Sequence, residues 1–215
     1  SGGNRLIWDM RYPGFKSFEG MVLYSSPNVG PKVAPGKYNI KMTYNDQILQ
    51  KEFEIVKDPR VKISQADYED QLEFLIKVRD EVSRANQKII DIRNIKNNMI
   101  FISEKTRDNI ELQEMINNYL TDVSEIENNI HMTKNQSRQD PLNYGIRINN
   151  RIAFLLADSQ RGDYPPTDQS KEFFIQVKEE LDSEIIKLDA LIDKHSQKIE
   201  NYLEDKKIEL ISLNN

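Results

Sequence analysis

The chain has 215 residues, 38% hydrophobic and 30% charged, with a net charge of -5, an isoelectric point near 5.3 and a mean hydropathy of -0.69. That length can bury a core in one or two domains, but no stretch approaches the roughly 18 apolar residues of a membrane span. Basic residues alternate with acidic ones instead of forming a stripe, which excludes nucleic acid as an expected partner, and the lack of cysteine removes disulfides, thiolate nucleophiles and cysteine-based zinc sites.

The amino end, Ser1-Gly2-Gly3, lacks the charged-then-apolar pattern of a signal peptide and reads as a cloning remnant or the start of an excised segment. Leu6, Trp8 and Met10 then alternate with Ile7, Asp9 and Arg11, the period of a half-buried strand, with Trp8 as its core anchor. Met21 to Tyr24 is a further strand candidate. Residues from Ser25 to Gly36 hold Pro27, Pro31 and Pro35 and form a loop. Tyr38, Ile40, Met42 and Tyr44 alternate with polar residues, Asn45-Asp46 tolerates the positive φ of a hairpin turn, and Gln47 to Val56 returns as the antiparallel partner. About four strands in so short a span make a sheet too small to stand alone, so it is expected to pack on the helices or on other sequence.

Lys57-Asp58-Pro59-Arg60 ends this β module, because proline cannot continue a ladder. Six of the eight glycines precede Tyr38, and the charge balance changes from eight basic against six acidic residues up to Asp58 to 22 against 29 beyond it. Residues 1-58 are therefore expected to form a partial immunoglobulin-like β module and residues 59-215 a helical module, an α+β chain. Ser64 reads as an N-cap with Asp67 in capping-box position. A stripe from Tyr68 through Val78, Val82, Ile89 and Ile92 to Met99 predicts one helix from about Ser64 to Glu104. A second runs from about Asn109 to His131, a polar connection spans Met132 to Pro141, and Ile148, Ile152 and Leu155 mark a third, shorter helix. Pro165-Pro166 breaks the chain, and Thr167 caps a fourth helix reaching near Leu213. The bundle is expected to be antiparallel. Its two long helices would each extend about 60 to 70 Å, too far for the shorter ones to flank throughout, which predicts a two-stranded antiparallel coiled-coil stretch or a further surface.

No catalytic, cofactor-binding or metal-binding residue is assigned, and no cofactor is expected. His195 falls on the core stripe between Ile192 and Ile199 and reads as a packed or half-buried histidine, since a functional imidazole would need a carboxylate or metal converging from another helix. His131 ends a helix, where a cation favours the dipole. Neither has a second histidine three or four residues on. Carboxylates such as Glu179/Glu180 and Asp67/Glu69/Asp70 alternate with Lys and Arg and read as solvating charge, not as a glycosidase pair. Arg161-Gly162-Asp163 spells an integrin-binding tripeptide but fits a turn before Tyr164-Pro165-Pro166. Asn135-Gln136-Ser137 matches a glycosylation sequon, relevant only in a eukaryotic secretory host.

The run Asn4-Arg5-Leu6-Ile7-Trp8-Asp9-Met10-Arg11-Tyr12-Pro13-Gly14, with Val33-Ala34-Pro35-Gly36-Lys37-Tyr38, resembles the carboxyl-terminal region of large bacterial, Bacteroidetes-like proteins of the glycosyl-hydrolase type with sialidase- or sortilin-type propeller repeats. Asp58-Pro59-Arg60-Val61, Gln65-Ala66-Asp67, Asp140-Pro141-Leu142-Asn143 and Ile146-Arg147-Ile148-Asn149-Asn150 look like later motifs of that family in the same order. The resemblance implies an exported, extracytoplasmic protein whose immunoglobulin-like module has strands upstream of Asn4. It also implies a non-catalytic accessory or interaction tail whose expected partner is the upstream propeller of the same polypeptide. Ser-x-Asp-x-Gly-x-x-Trp repeats do not occur here, so hydrolase chemistry is not carried onto these residues. Two alternatives follow: a tail that completes or covers a glycoside-processing active site through exposed carboxylates or Arg147 and Arg151, and a self-associating coiled-coil spacer.

Overall fold

A computed structural model describes residues 2-208 and residue 210. The elements in chain order are β1 (Gly36–Tyr44), β2 (Gln47–Ile55), α1 (Gln65–Lys105), α2 (Ile110–Ile130), the single turn α3 (Pro141–Tyr144), α4 (Ile148–Ser159) and α5 (Asp168–Asp205). This is an α+β chain, a two-stranded antiparallel sheet followed by a helical bundle with two long helices.

Local chemistry sets most helix starts. The Ser64 hydroxyl accepts from the Asp67 N–H at 3.2 Å while the Asp67 carboxylate accepts from the Ser64 N–H at 2.8 Å, a complete capping box. The Asn109 side chain accepts from the Leu112 N–H at 3.1 Å, and Thr167 from the Ser170 N–H at 3.1 Å. The expected end of the last helix near Leu213 lies outside the described residues. Among the described residues five helices stand where four were expected, because Pro141, at a helix's first position with no N–H to satisfy, starts one extra turn that Gly145 ends at φ 75°.

Side-chain contacts give the helix directions. Lys171 pairs with Asp70 at 3.2 Å and Lys88 with Asp189 at 3.5 Å, so α1 and α5 ascend side by side in parallel. Gln71 donates to the Ser159 carbonyl at 3.0 Å and Asn149 donates to Asn86 at 3.1 Å, so α4 descends along the first half of α1. Arg93 meets Glu127 at 2.9 Å and Ser103 meets Gln113 at 2.6 Å, so α2 descends along its second half. Two long parallel helices are thus flanked by a third column made of α2 and α4 end to end. The expected two-stranded antiparallel stretch is not formed, because the two short helices share the task of covering the pair. Val78, Val82, Ala85, Ile89 and Ile92 of α1 face Ile116 and Val123 of α2, Ile152 and Leu156 of α4, and Leu181 and Leu188 of α5, all essentially without solvent exposure. At roughly 25 cal/mol per Å² of apolar surface, this column is the main source of stability in the chain.

Residues 2-35 depart most from expectation. Leu6 to Arg11 forms no strand: Met10 sits at φ 57°, which breaks the pleat, and only an isolated bridge joins Arg11 to Lys32. Met21 to Tyr24 forms none either. Residues 11-34 are instead an irregular strap bound along the bundle. The 10-13 and 30-33 stretches lie so close that a Cβ at Gly30 would fall 1.8 Å from the Tyr12 carbonyl oxygen, so glycine is required there. Phe15 is buried in the helical core, the Lys16 N–H donates to Ser83 at 3.0 Å, and the Arg93 guanidinium donates to the Glu19 carbonyl at 2.7 Å. Phe18, Met21 and Tyr24 cover the joint where α2 ends and α4 begins: Phe18 packs edge-on against His131 at 5.0 Å, and the Tyr24 N–H donates to Asn150 at 2.7 Å.

Candidate interaction surface

The β1–β2 hairpin is built by alternation and one turn. Asn45 and Asp46 take φ 43° and 62°, the two positive values of a twist-matched hairpin turn. The register pairs Tyr38 with Phe53, Ile40 with Lys51, Met42 with Leu49 and Tyr44 with Gln47, so these eight residues share one face. Lys37, Asn39, Lys41, Gln50, Glu52 and Glu54 occupy the other, where Lys37 and Glu52 approach to 3.4 Å in full solvent, a pair of little energetic weight.

Only the root of the apolar face is covered. Trp8 stands edge-on to Tyr38 at 6.0 Å and to Phe53 at 6.2 Å, while its indole N–H donates to the Arg11 carbonyl at 3.1 Å. The sequence suggested a core anchor on a strand. The structure corrects this, since Trp8 is 42% exposed and anchors the hairpin root from a non-strand segment. Beyond it, Ile40, Met42, Leu49 and Tyr44 are 49 to 68% exposed, and Leu6, which lines a groove with Ile40, is 83% exposed. No other described strand pairs with either outer edge of the hairpin, leaving outward N–H and C=O groups on both. Beneath the hairpin a cleft of about 320 Å³ separates it from α1 and the α4–α5 turn. The cleft's polar groups bind one another: Tyr68 donates to Asp163 at 3.3 Å, and Arg11 to the Gly30 carbonyl at 2.7 Å and Gln160 at 3.1 Å.

The other singled-out residues hold the bundle together. His195 is buried on α5 and stacked flat on Tyr119 at 4.8 Å, and its Nε2 lies 3.0 Å from Asp122 of α2. A carboxylate therefore does converge from another helix, which one-helix periodicity could not reveal; the pair ties α2 to α5. His131 caps α2 through its own N–H on the Glu127 carbonyl at 2.8 Å, but its ring is only 2% exposed. Burial pushes its pKa below the ordinary histidine value, so the cationic dipole role is overturned and the ring is neutral. Burial would raise the neighbouring Glu127, but hydrogen bonds from Lys96 and Arg93 outweigh it and hold the carboxyl below its usual range.

Asp67 caps α1, Glu69 accepts from Gln65 at 3.0 Å, Asp70 pairs with Lys171, and Glu180 binds Arg151 at 2.5 Å. Arg151 is thereby engaged, with its guanidinium also over Phe173, while Arg147 occupies the N-cap of α4. In the Arg161-Gly162-Asp163 turn Arg161 is exposed and pairs with Asp158 at 3.3 Å, while the Gly162 carbonyl accepts from Gln71 at 2.7 Å and Asp163 accepts from Tyr68. Asn135 is buried, so the sequon does not present its amide. Among the described residues no group of three or more His, Asp and Glu is placed to hold a metal ion, and no helix is long and apolar enough to cross a membrane.

The fold and surface define an α+β chain that displays an amphipathic hairpin from a helical bundle. No protein-family model, curated protein or solved structure matches it.

Proposed function

We propose that this chain is a non-catalytic interaction module that docks through the apolar face of the β1–β2 hairpin. By the sequence resemblance, it is the carboxyl-terminal accessory part of a large exported propeller protein of the glycosyl-hydrolase type. The observation carrying this reading is the uncovered face of Ile40, Met42, Tyr44 and Leu49, flanked by two open strand edges. An isolated two-stranded hairpin is marginal in water, and a contiguous apolar face of this kind marks a contact surface. The fitting occupant is a β-structured segment of the parent polypeptide that pairs with an edge and lays apolar side chains on the face.

Hydrogen exchange compares residues 36-56 in the full-length parent and in the isolated chain. Docking slows exchange of the outward Tyr38–Tyr44 amides by about tenfold or more, the effect of a contact worth about 1.4 kcal/mol. The double substitution Met42→Lys and Leu49→Lys removes that difference while leaving protection of the bundle unchanged. Equal exchange in parent and isolated chain refutes the reading. So does protection of the isolated chain that rises with its own concentration, because the occupant is then a second copy.

A further inference from the structure

The joint between α2 and α4 contains a polar chain of fixed direction. The Asn86 amide N–H donates to the Lys16 backbone carbonyl at 2.6 Å. A carbonyl can only accept, so the Asn86 oxygen must point the other way, where it accepts from the Asn149 amide at 3.1 Å. Asn149 therefore presents its NH₂, and the same nitrogen lies 3.3 Å from His131 Nδ1. That ring nitrogen must accept, which makes His131 the neutral Nε2–H tautomer. Asn86 and Asn149 are completely buried, and the Asn149 oxygen has no partner.

A proton on His131 Nδ1 would face the Asn149 NH₂, donor against donor. The relief is rotation of Asn149, which turns its orphan oxygen to the imidazolium. That rotation brings oxygen against the Asn86 oxygen, and a matching rotation of Asn86 removes its bond to Lys16. The charged groups facing His131 are Arg93 from α1 and Glu127 from α2, already paired with each other and with Lys96. From α4 the facing group is the Asn149 amide, and from the strap it is the Phe18 ring, with Arg93 4.7 Å above it.

We propose that His131, Asn149 and Asn86 form a proton-operated latch, in which neutral His131 holds the strap around Lys16 to Tyr24 on the bundle and protonated His131 releases it. The strap links Trp8 and the hairpin root to the helices, so release frees the hairpin to reorient, whatever its face meets. The folded-state value is depressed, so the contribution to strap binding is fully present above the unfolded histidine value, about 6.5, and is lost as pH falls toward the folded value. Glu127, held below the usual carboxylate range, does not titrate in that window.

The test follows amide exchange of Lys16 and Tyr24, corrected for intrinsic rate, against that of Ile89 from about pH 7.5 to about pH 5, with the His131 ring titrated by NMR in the same samples. Strap protection is expected to fall about tenfold per pH unit below the unfolded histidine value and to level off where the His131 ring itself titrates, while Ile89 stays protected. His131→Gln keeps an acceptor for Asn149 but takes no proton, so its strap protection is flat with pH. If that variant does not fold, the wild-type titration decides alone. Constant protection of Lys16 and Tyr24 overturns the latch, as does loss in step with Ile89, which is global unfolding.

Discussion

The strap and the hairpin are neighbours in sequence and opposites in structure. The strap has almost no regular backbone yet places Phe15 at 3% exposure in the helical core and hydrogen-bonds the helical side chains of Ser83, Asn86, Arg93 and Asn150. The hairpin has nine paired residues in each strand and leaves nearly all of them in solvent. Backbone regularity and integration into the fold are separate properties: the first depends on local alternation and a turn, the second on where side chains find partners.

Leucine truncation gives the largest test of that contrast. Leu181 of α5 is fully buried and Leu49 of β2 is 59% exposed. Leu181→Ala should cost about 3 kcal/mol in urea unfolding, from lost transfer energy plus the cavity left between α1 and α5. Leu49→Ala should stay within about 0.5 kcal/mol, since exposed positions contribute little. Comparable losses would mean that the hairpin face is covered within the isolated chain, contrary to its exposure here.

The strap offers an intermediate effect. Asn86→Ala removes the acceptor of the Asn149 amide and the donor to the Lys16 carbonyl, both at a buried joint. A loss of about 2 kcal/mol is expected, the cost of unsatisfied buried polar groups, with faster proteolysis of the strap. A loss no greater than that of Leu49→Ala would make the strap as peripheral as the hairpin.

These differences mark what was readable in the sequence. Capping at Ser64 and Thr167 and the hairpin around Asn45-Asp46 were legible, because each depends on residues within four positions of one another. The apolar face of Tyr38, Ile40 and Met42 was legible as a face, but alternation does not say whether anything covers it. The strand expected at Leu6 to Arg11 failed for the same reason in reverse: alternation was present, but an available neighbouring strand and an unbroken pleat at Met10 were not. The strap has no period to read, since its partners lie some 65 to 126 residues away. The end-to-end arrangement of α2 and α4 depends on the geometry of Met132 to Pro141, which reads only as polar. Asn86 was the available clue, an amide beside the Val82–Ala85–Ile89 stripe, where an unpaired polar side chain would be costly.

The smallest effect tests whether hairpin and bundle share one cooperative transition. Asp46 occupies φ 62°, which costs a non-glycine residue about 1 kcal/mol, while glycine adds freedom to the unfolded chain that offsets part of the relief. Asp46→Gly should therefore favour the closed hairpin by about 0.4 kcal/mol, slowing exchange of the cross-strand amides near the turn about twofold. The Leu181 amide, in the bundle, should be unaffected. Asp46→Pro supplies the opposite sign, since a ring fixed near φ -65° cannot close this turn, and it should abolish hairpin protection with the bundle melt unchanged. A shift of the bundle transition in either variant would join the two regions into one folding unit, making the hairpin's solvent-facing apolar residues part of the stability of the whole chain.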